Sequence, residues 1–358
     1  MSNGGMCIAH INLARGYRGG ERQTQLLIEG LAAQGWRQRL IARRGEPLVR
    51  RCTSVGGLDT TGVAGNVIGG ALALGACDLV HVHEARAMQS AFLNSMVRGT
   101  PYLVTRRVQK GPRHTFANRK MYRRAAALVP VSAAIGASLD ALDASLDWSV
   151  IPDATSTLSF DARRVAELRA GLGGEFLIGH VGALDDSHKG QLQIVAIAAR
   201  LAQAEPGLRF VLVGGGRDEA MLRQAAAGLD NVRFAGQVED VGNYLAAFDL
   251  FIYPSRHEGL GSILLDALEF ALPIVGTAVG GVPEIIEHGS NGLLCAPDDI
   301  EALTGAVLRL YRDADFRERV GAVNKSKAEY YSPARMTRRY IDIYAALVDS
   351  PAAGRAPS

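Results

Sequence analysis

The residues best suited to chemistry fall in one stretch, 254–286. Glu258 stands in a turn of small residues, Glu258-Gly259-Leu260-Gly261-Ser262, between an apolar run ending at Tyr253 and a helical run from Ser262 to Ala271. Glycine lets a ligand approach the backbone. A helix beginning there turns free N–H groups and the positive end of its dipole toward a phosphate or sugar oxygen. The carboxylate of Glu258 is within reach of such a ligand. Asp266, eight residues on, is placed to face the same crevice. The first half repeats the device. An apolar run from Cys7 to Leu13 leads to Gly19 and Gly20, ringed by Arg15, Arg18 and Arg22, and then to a helical run ending near Gly35. The turn at Gly19 and Gly20 also has a plainer reading, a tight strand-to-helix connection.

Strands and helices alternate along the whole chain, which predicts an α/β protein. In the first half, residues 37–44, 78–84, 101–105 and 128–132 read as strands; in the second, 176–181, 210–213, 232–235, 249–253 and 274–279. Pro273 stops the helix after Asp266. The predicted first domain is 1–152 plus a C-terminal helix at 331–349. The predicted second domain is 153–330, with a flexible tail at 350–358. Gly214-Gly215-Gly216 is an incomplete dinucleotide fingerprint, with no acidic residue ending the next strand. Residues 60–77 carry no charge, yet five glycines, two threonines and an asparagine leave them too weakly apolar for a membrane span. They read as a partly buried helix leading to the next strand. Asp313-Ala314-Asp315 has the spacing of a metal-binding acid pair but sits between helical runs, where a helix cap is expected.

The stretch 254–286 resembles the C-terminal signature of the retaining glycosyltransferases of family 4, which have the GT-B fold. It carries two acids eight residues apart around a glycine turn, then Leu272-Pro273, Gly280-Gly281 and Pro283-Glu284. It departs from the usual pattern at Leu260, where Phe is common, and at Asp266, where Glu is usual. The resemblance implies two Rossmann-like domains facing each other across a cleft, with the C-terminal helix crossing back to the first. It implies a nucleotide-diphosphate sugar as donor, UDP- or GDP-linked, with no cofactor and no metal. Glu258 would hold donor-sugar hydroxyls, the N–H groups of Gly259, Leu260, Gly261 and Ser262 the sugar and phosphate, and Asp266 the ribose. Lys189, after Gly182 in 182–190, matches the family's diphosphate lysine, while Ala183 stands where an arginine is typical. Gly19 and Gly20 match the loop that nears the diphosphate and the acceptor. Gln237 and Val238 fall where the nucleobase is held. His83 matches a strand-end histidine near the cleft. Arg107 occupies the place of a sugar-contacting histidine and would suit an anionic group, because its fork pairs with phosphate or carboxylate.

Charge bears on the partner. Residues 1–150 hold 19 Lys and Arg against 9 Asp and Glu, and residues 151–358 hold 20 against 27, so a basic half precedes an acidic one. A basic half suggests an anionic partner. The loop from Arg15 to Gln23 resembles that of bacterial envelope glycosyltransferases of the lipopolysaccharide-core kind, and this resemblance implies an envelope glycolipid acceptor, faced by Arg15, Arg18, Arg22, Arg106 and Arg107 and met by a cytoplasmic protein peripheral to the inner membrane face. Nucleic acid is not expected as a partner, and the sequence leaves the oligomeric state open. Rival readings are an enzyme with a small soluble acceptor, such as a sugar phosphate, and a non-catalytic sugar-nucleotide-binding protein. Four scattered cysteines, at 7, 52, 77 and 295, suggest neither a disulfide framework nor a metal site.

Overall fold

The computed structural model describes residues 5–349, so the expected tail at 350–358 lies outside the described residues. The chain divides into two units, Met1–Ser156 with Tyr331–Ser358, and Thr157–Tyr330. The first division falls four residues beyond the position expected from Ile151-Pro152-Asp153, because 153–156 is bonded into the first unit through Gln23 and Tyr331.

The first unit contains β1 (Cys7–Asn12), α1 (Gly19–Ala32), β2 (Arg37–Arg43), α2 (Pro47–Cys52), β3 (Leu58–Val63), α3 (Val67–Leu74), β4 (Leu79–Val82), α4 (Ala85–Arg98), β5 (Tyr102–Arg106), α5 (Phe116–Arg124), β6 (Ala127–Pro130) and α6 (Ala133–Leu142). All six strands are parallel, in the order β3-β2-β1-β4-β5-β6. Successive side chains point to opposite faces. Ile8, Leu79, Leu103 and Val129 pack on α1, while Ile11, Val80, Tyr102 and Val104 pack with Met88, Ala91 and Met121.

The second unit contains α7 (Ala162–Leu172), β7 (Phe176–Val181), α8 (Asp186–Lys189), α9 (Gln191–Leu201), β8 (Leu208–Val213), α10 (Glu219–Ala225), β9 (Val232–Gly236), α11 (Val241–Ala247), β10 (Leu250–Tyr253), α12 (Ser262–Glu269), β11 (Ile274–Thr277), α13 (Val282–Ile285), β12 (Leu293–Cys295), α14 (Ile300–Arg312) and α15 (Ala314–Ala328). Its parallel sheet runs β12-β11-β10-β7-β8-β9. The last helix, α16 (Pro333–Asp349), belongs to the first unit. Its Met336, Tyr340 and Tyr344 complete the core beside α1. No described helix is long and apolar enough to cross a membrane.

Two local expectations resolve plainly. Asp313 caps α15, its carboxylate accepting from the Phe316 N–H at 2.9 Å. Two of the three glycines after β8 are packing glycines: a Cβ on Gly214 would stand 2.0 Å from the Gly182 carbonyl oxygen, and one on Gly216 2.3 Å from that of Leu184.

Candidate functional site

In an open parallel sheet, ligands bind beyond the carboxyl ends of the strands where the strand order reverses. In the second unit that point lies between β7 and β10. The loop after β7 carries Lys189 and the loop after β10 carries Glu258. The structure brings them together: Lys189 Nζ donates to Glu258 Oε2 at 2.5 Å and to the Tyr253 hydroxyl at 2.8 Å, and the Tyr253 hydroxyl donates to the same carboxylate oxygen. The Lys189 and Glu258 side chains are 22% and 15% exposed, so the pair is drawn mostly out of water while one side stays open. Burial opposes the Lys189 charge, but the Tyr253 oxygen and the Glu258 carboxylate outweigh it and hold the ammonium above its ordinary range. Burial raises Tyr253 well above the usual phenol range, so its hydroxyl keeps its proton.

The local chain explains why these groups meet. Gly190 sits at φ +67°, and a Cβ there would stand 2.2 Å from the Pro254 carbonyl oxygen, so only glycine lets the two loops pass. Arg256 then clamps them. Its Nη1 donates to Asp186 Oδ2 at 2.9 Å, its Nε to Asp298 Oδ1 at 2.7 Å, and its N–H to the His188 carbonyl at 2.8 Å. Beneath the pair, His180 on β7 bonds the Ile252 carbonyl of β10 at 3.0 Å, and burial lowers its pKa to about 4. Ala183 leaves the expected arginine missing, and neither nearby arginine is spare: Arg256 is the clamp, and Arg217 bonds Asp185 at 2.7 Å.

The rest of the expected donor set lines the same strand ends. Gly261, at φ +89°, precedes α12, whose first turn has no side-chain cap. Gly259 accepts from the Gly281 N–H at 3.1 Å, which joins the two glycine turns. The Leu260 side chain is buried, leaving its backbone as the part near the turn, and Asp266 is buried on α12. Gly182 follows β7 and donates its N–H to the Val213 carbonyl at 3.0 Å. Gln237 and Val238 follow β9, with the Gln237 Cβ 3.8 Å from where a Cβ on Gly215 would stand.

The first unit reverses its strand order between β1 and β4. Gly19 and Gly20 open α1 there. Glu21, buried, accepts from the Arg18 N–H at 3.0 Å and from Asn12 Nδ2 at 3.3 Å, which fixes the glycine turn against the strand end. Arg15 and Arg18 are exposed. Arg107 is nine-tenths buried. Its Nε donates to Asp153 Oδ1 at 2.8 Å, its stem passes 3.8 Å from the place of a Gly20 Cβ, and its Nη1 has no hydrogen-bond partner among the described residues. Burial raises the Asp153 pKa, with Arg107 opposing the rise.

Three expectations change here. Arg106 does not face a ligand: its Nη1 bonds the Tyr122 hydroxyl at 2.9 Å and its Nη2 bonds the Lys110 carbonyl, so it holds the loop after β5. Arg22 spends Nη2 on the Ser156 carbonyl at 2.7 Å, tying α1 to the end of the unit. His83 is buried against His81, with ring centroids 3.9 Å apart, and belongs to a histidine cluster with His10.

That cluster has the residue types of a metal site, yet five of its six ring nitrogens already have protein partners. The bonds also set the tautomers. Gln38 Nε2 donates to the Ile28 carbonyl, so its oxygen must accept from His10 Nε2. His10 Nδ1 therefore accepts from His83 Nε2 at 2.9 Å, and His83 Nδ1 is left as a bare acceptor. Burial lowers His10 to about 4 and lowers His81 and His83 well below the usual imidazole value, so all three are neutral at pH 7.

Residues 18–153 match the model described as glycosyl transferase 4-like domain, and residues 175–313 match the model described as glycosyl transferases group 1. The chain belongs to this glycosyltransferase family. It is 33% identical over 270 residues to 2-deoxystreptamine N-acetyl-D-glucosaminyltransferase of Streptomyces fradiae, covering 66% of this chain and 63% of that protein. It is 30% identical over 161 residues to the lipopolysaccharide core biosynthesis glycosyltransferase LpsE of Rhizobium meliloti, covering 44% and 46%. The chain thus spans less than two thirds of the length of either relative. HepE of Anabaena in complex with UDP-glucose has the same fold, with a TM-score of 0.82 and 19% identity over 95% of this chain and all of that one. The fold of this family member is GT-B, built of two Rossmann-like units.

Sequence reading missed Tyr253 and Asp153 as site partners. Tyr253 is the last residue of β10, five before Glu258, a position that opens onto the strand-end crevice and was a usable signal. Asp153 lies at the expected domain boundary, and nothing local marks it as the partner of Arg107.

Proposed function

We propose that this chain is a retaining glycosyltransferase that moves a sugar from a nucleotide-diphosphate sugar to an anionic envelope glycolipid at the cytoplasmic membrane face. The observation that carries the reading is the Lys189–Glu258–Tyr253 group at the strand-order reversal of the second unit, in a chain of this family. In this reading the donor binds beside the pair, which stays in contact. Lys189 faces the diphosphate and Glu258 the sugar hydroxyls, while the N–H groups at 259–262 hold the sugar and phosphate and Asp266 the ribose. The bond between the sugar's anomeric carbon and the phosphate oxygen breaks. The acceptor oxygen bonds to the same carbon from the same face, and its proton passes to the departing diphosphate. Lys189 and the first turn of α12 stabilise the charge that grows on that diphosphate, a preorganised electrostatic role that needs no metal. Within the first unit, Arg107 and the start of α1 at Gly19 and Gly20 suit an anionic acceptor group.

Support for a glycolipid acceptor comes from the basic first half and from the name of the Rhizobium relative. The name of the Streptomyces relative, which carries an aminocyclitol, favours the second reading, a small soluble acceptor. The test is a thermal-shift panel of nucleotide-diphosphate sugars, followed by transfer of the best donor to deacylated lipopolysaccharide core or to small sugar acceptors. One donor should raise the melting temperature by mass action. A flat panel that includes UDP and GDP overturns the donor site. Transfer to the small acceptors alone replaces the glycolipid reading with the second one.

A further inference from the structure

We propose that the α3–α4–α5 face of the first unit is a docking surface for an anionic lipid bilayer. It deepens the membrane part of the reading above and rests on that reading only for the location of the acceptor. The observation is an apolar patch that the fold leaves uncovered. On α3, Ile68 and Leu72 are one turn apart and 69% and 77% exposed. On α4, which packs along α3, Leu93, Met96 and Val97 share one face, and Val97 is 83% exposed. On α5, the next helix over, Phe116 is also 83% exposed. Helix α3 carries no charged residue, so it turns apolar side chains to the surface without a polar face of its own. A soluble surface scatters such residues singly, and their gathering on adjacent helices marks an interaction site.

Charge selects the partner. From Val67 to Arg124 there are ten Lys and Arg and two acids. Both acids are engaged in the unit: Asp78 accepts from the Cys7 N–H at 2.7 Å, and Glu84 caps α4, accepting from the N–H groups of Arg86 and Ala87 at 2.8 Å each. Arg86 and Arg98 are exposed at the two ends of α4. Phe116, Arg119 and Lys120 form an exposed stripe at helical spacing on α5, and Arg123, next on that stripe, is paired with Asp143 at 2.5 Å. Apolar side chains flanked by cations fit the boundary between acyl chains and anionic headgroups. A second copy of this face would bring the same cations together, which disfavours self-association as its use.

The test is vesicle flotation without donor or acceptor, using phosphatidylcholine vesicles with and without phosphatidylglycerol. The full chain should float with the anionic vesicles, and less so as salt rises. Arg86→Ser with Arg98→Ser should weaken binding about fivefold per cation removed. Leu72→Glu with Val97→Glu should weaken it at least tenfold at an unchanged melting temperature. Unweakened binding of the glutamate variant overturns the proposal. So does a wild-type dimer in sedimentation that this variant converts to monomer without any vesicle binding. Donor binding, measured separately without vesicles, fails only if the transferase reading fails.

Discussion

Replacing Glu258 by alanine separates two effects that act on one lysine. In the free protein Lys189 Nζ is 2.5 Å from the Glu258 carboxylate. A phosphate oxygen on the far side of the ammonium, at a charge-assisted distance of about 2.8 Å, would stand about 5 Å from that carboxylate. At an effective dielectric of about 20, the repulsion is about 3 kcal/mol per pair of unit charges before solvent screening. Glu258→Ala removes it, so a nucleoside diphosphate lacking the sugar should bind no more weakly than to wild type. The sugar nucleotide gains the same relief but loses charge-assisted hydrogen bonds from carboxylate to hydroxyl, worth about 1.5–3 kcal/mol. The repulsion cancels in the ratio of the two dissociation constants. That ratio should therefore fall by about 10- to 150-fold in the variant. Isothermal titration of the diphosphate and its sugar nucleotide against both proteins, at one salt concentration, gives the number. Any inactive fraction of the variant affects both ligands alike. A ratio unchanged within twofold would refute the assignment of Glu258 to the sugar.

Other consequences can be measured alongside. Gly190→Ala forces a Cβ to 2.2 Å from the Pro254 oxygen at a left-handed φ, so we expect about 2 kcal/mol or more of destabilisation and weaker diphosphate binding, read by urea melts and titration; a neutral outcome would mean the loop moves freely. Asp153→Ala strands the nine-tenths-buried Arg107 guanidinium, at a cost of about 3–5 kcal/mol in the first unit, and Arg107→Met with Asp153→Leu should recover part of it; equal losses in the single and double variants would contradict this. His10 and His180, neutral in the fold with pKa values of about 4, take up protons on unfolding once the pH falls below about 6.5. Stability is therefore complete above that pH and lost on the way down to 4, by about 2 kcal/mol per histidine at pH 5. Urea midpoints at pH 7.5 and 5.0 should fall accordingly, and equal midpoints would sink the reading.

Much of this was legible in the sequence because strand, glycine and helix follow one another locally. The apolar run ending at Tyr253, the turn at 258–262 and the stop at Pro273 each announce themselves within a few residues, and β10, α12 and β11 fall there. Pairings across long separations were not legible. Nothing near Arg106 says that its guanidinium reaches the Tyr122 hydroxyl, whereas Arg107, one residue on, turns to Asp153. Alternation along a strand sends neighbours to opposite faces, and only the packed sheet says which face meets what. The exposure of Ile68 and Leu72 was hidden in the same way. An uncharged stretch reads as buried until the fold shows that no other element covers it.

The placement of α16 in the first unit has a consequence for how the chain is made. Tyr340 and Tyr344 are fully buried, and their hydroxyls bond Thr105 and His81 at 2.8 and 2.6 Å. On the ribosome β1 to β6 emerge first, and α16 follows only after Thr157–Tyr330. At roughly 5–20 residues per second, those residues take about 9–35 s to synthesise. Throughout that interval the sheet face formed by Ile8, Leu79, Leu103 and Val129 lacks part of its cover. The unit synthesised first is thus the last to close.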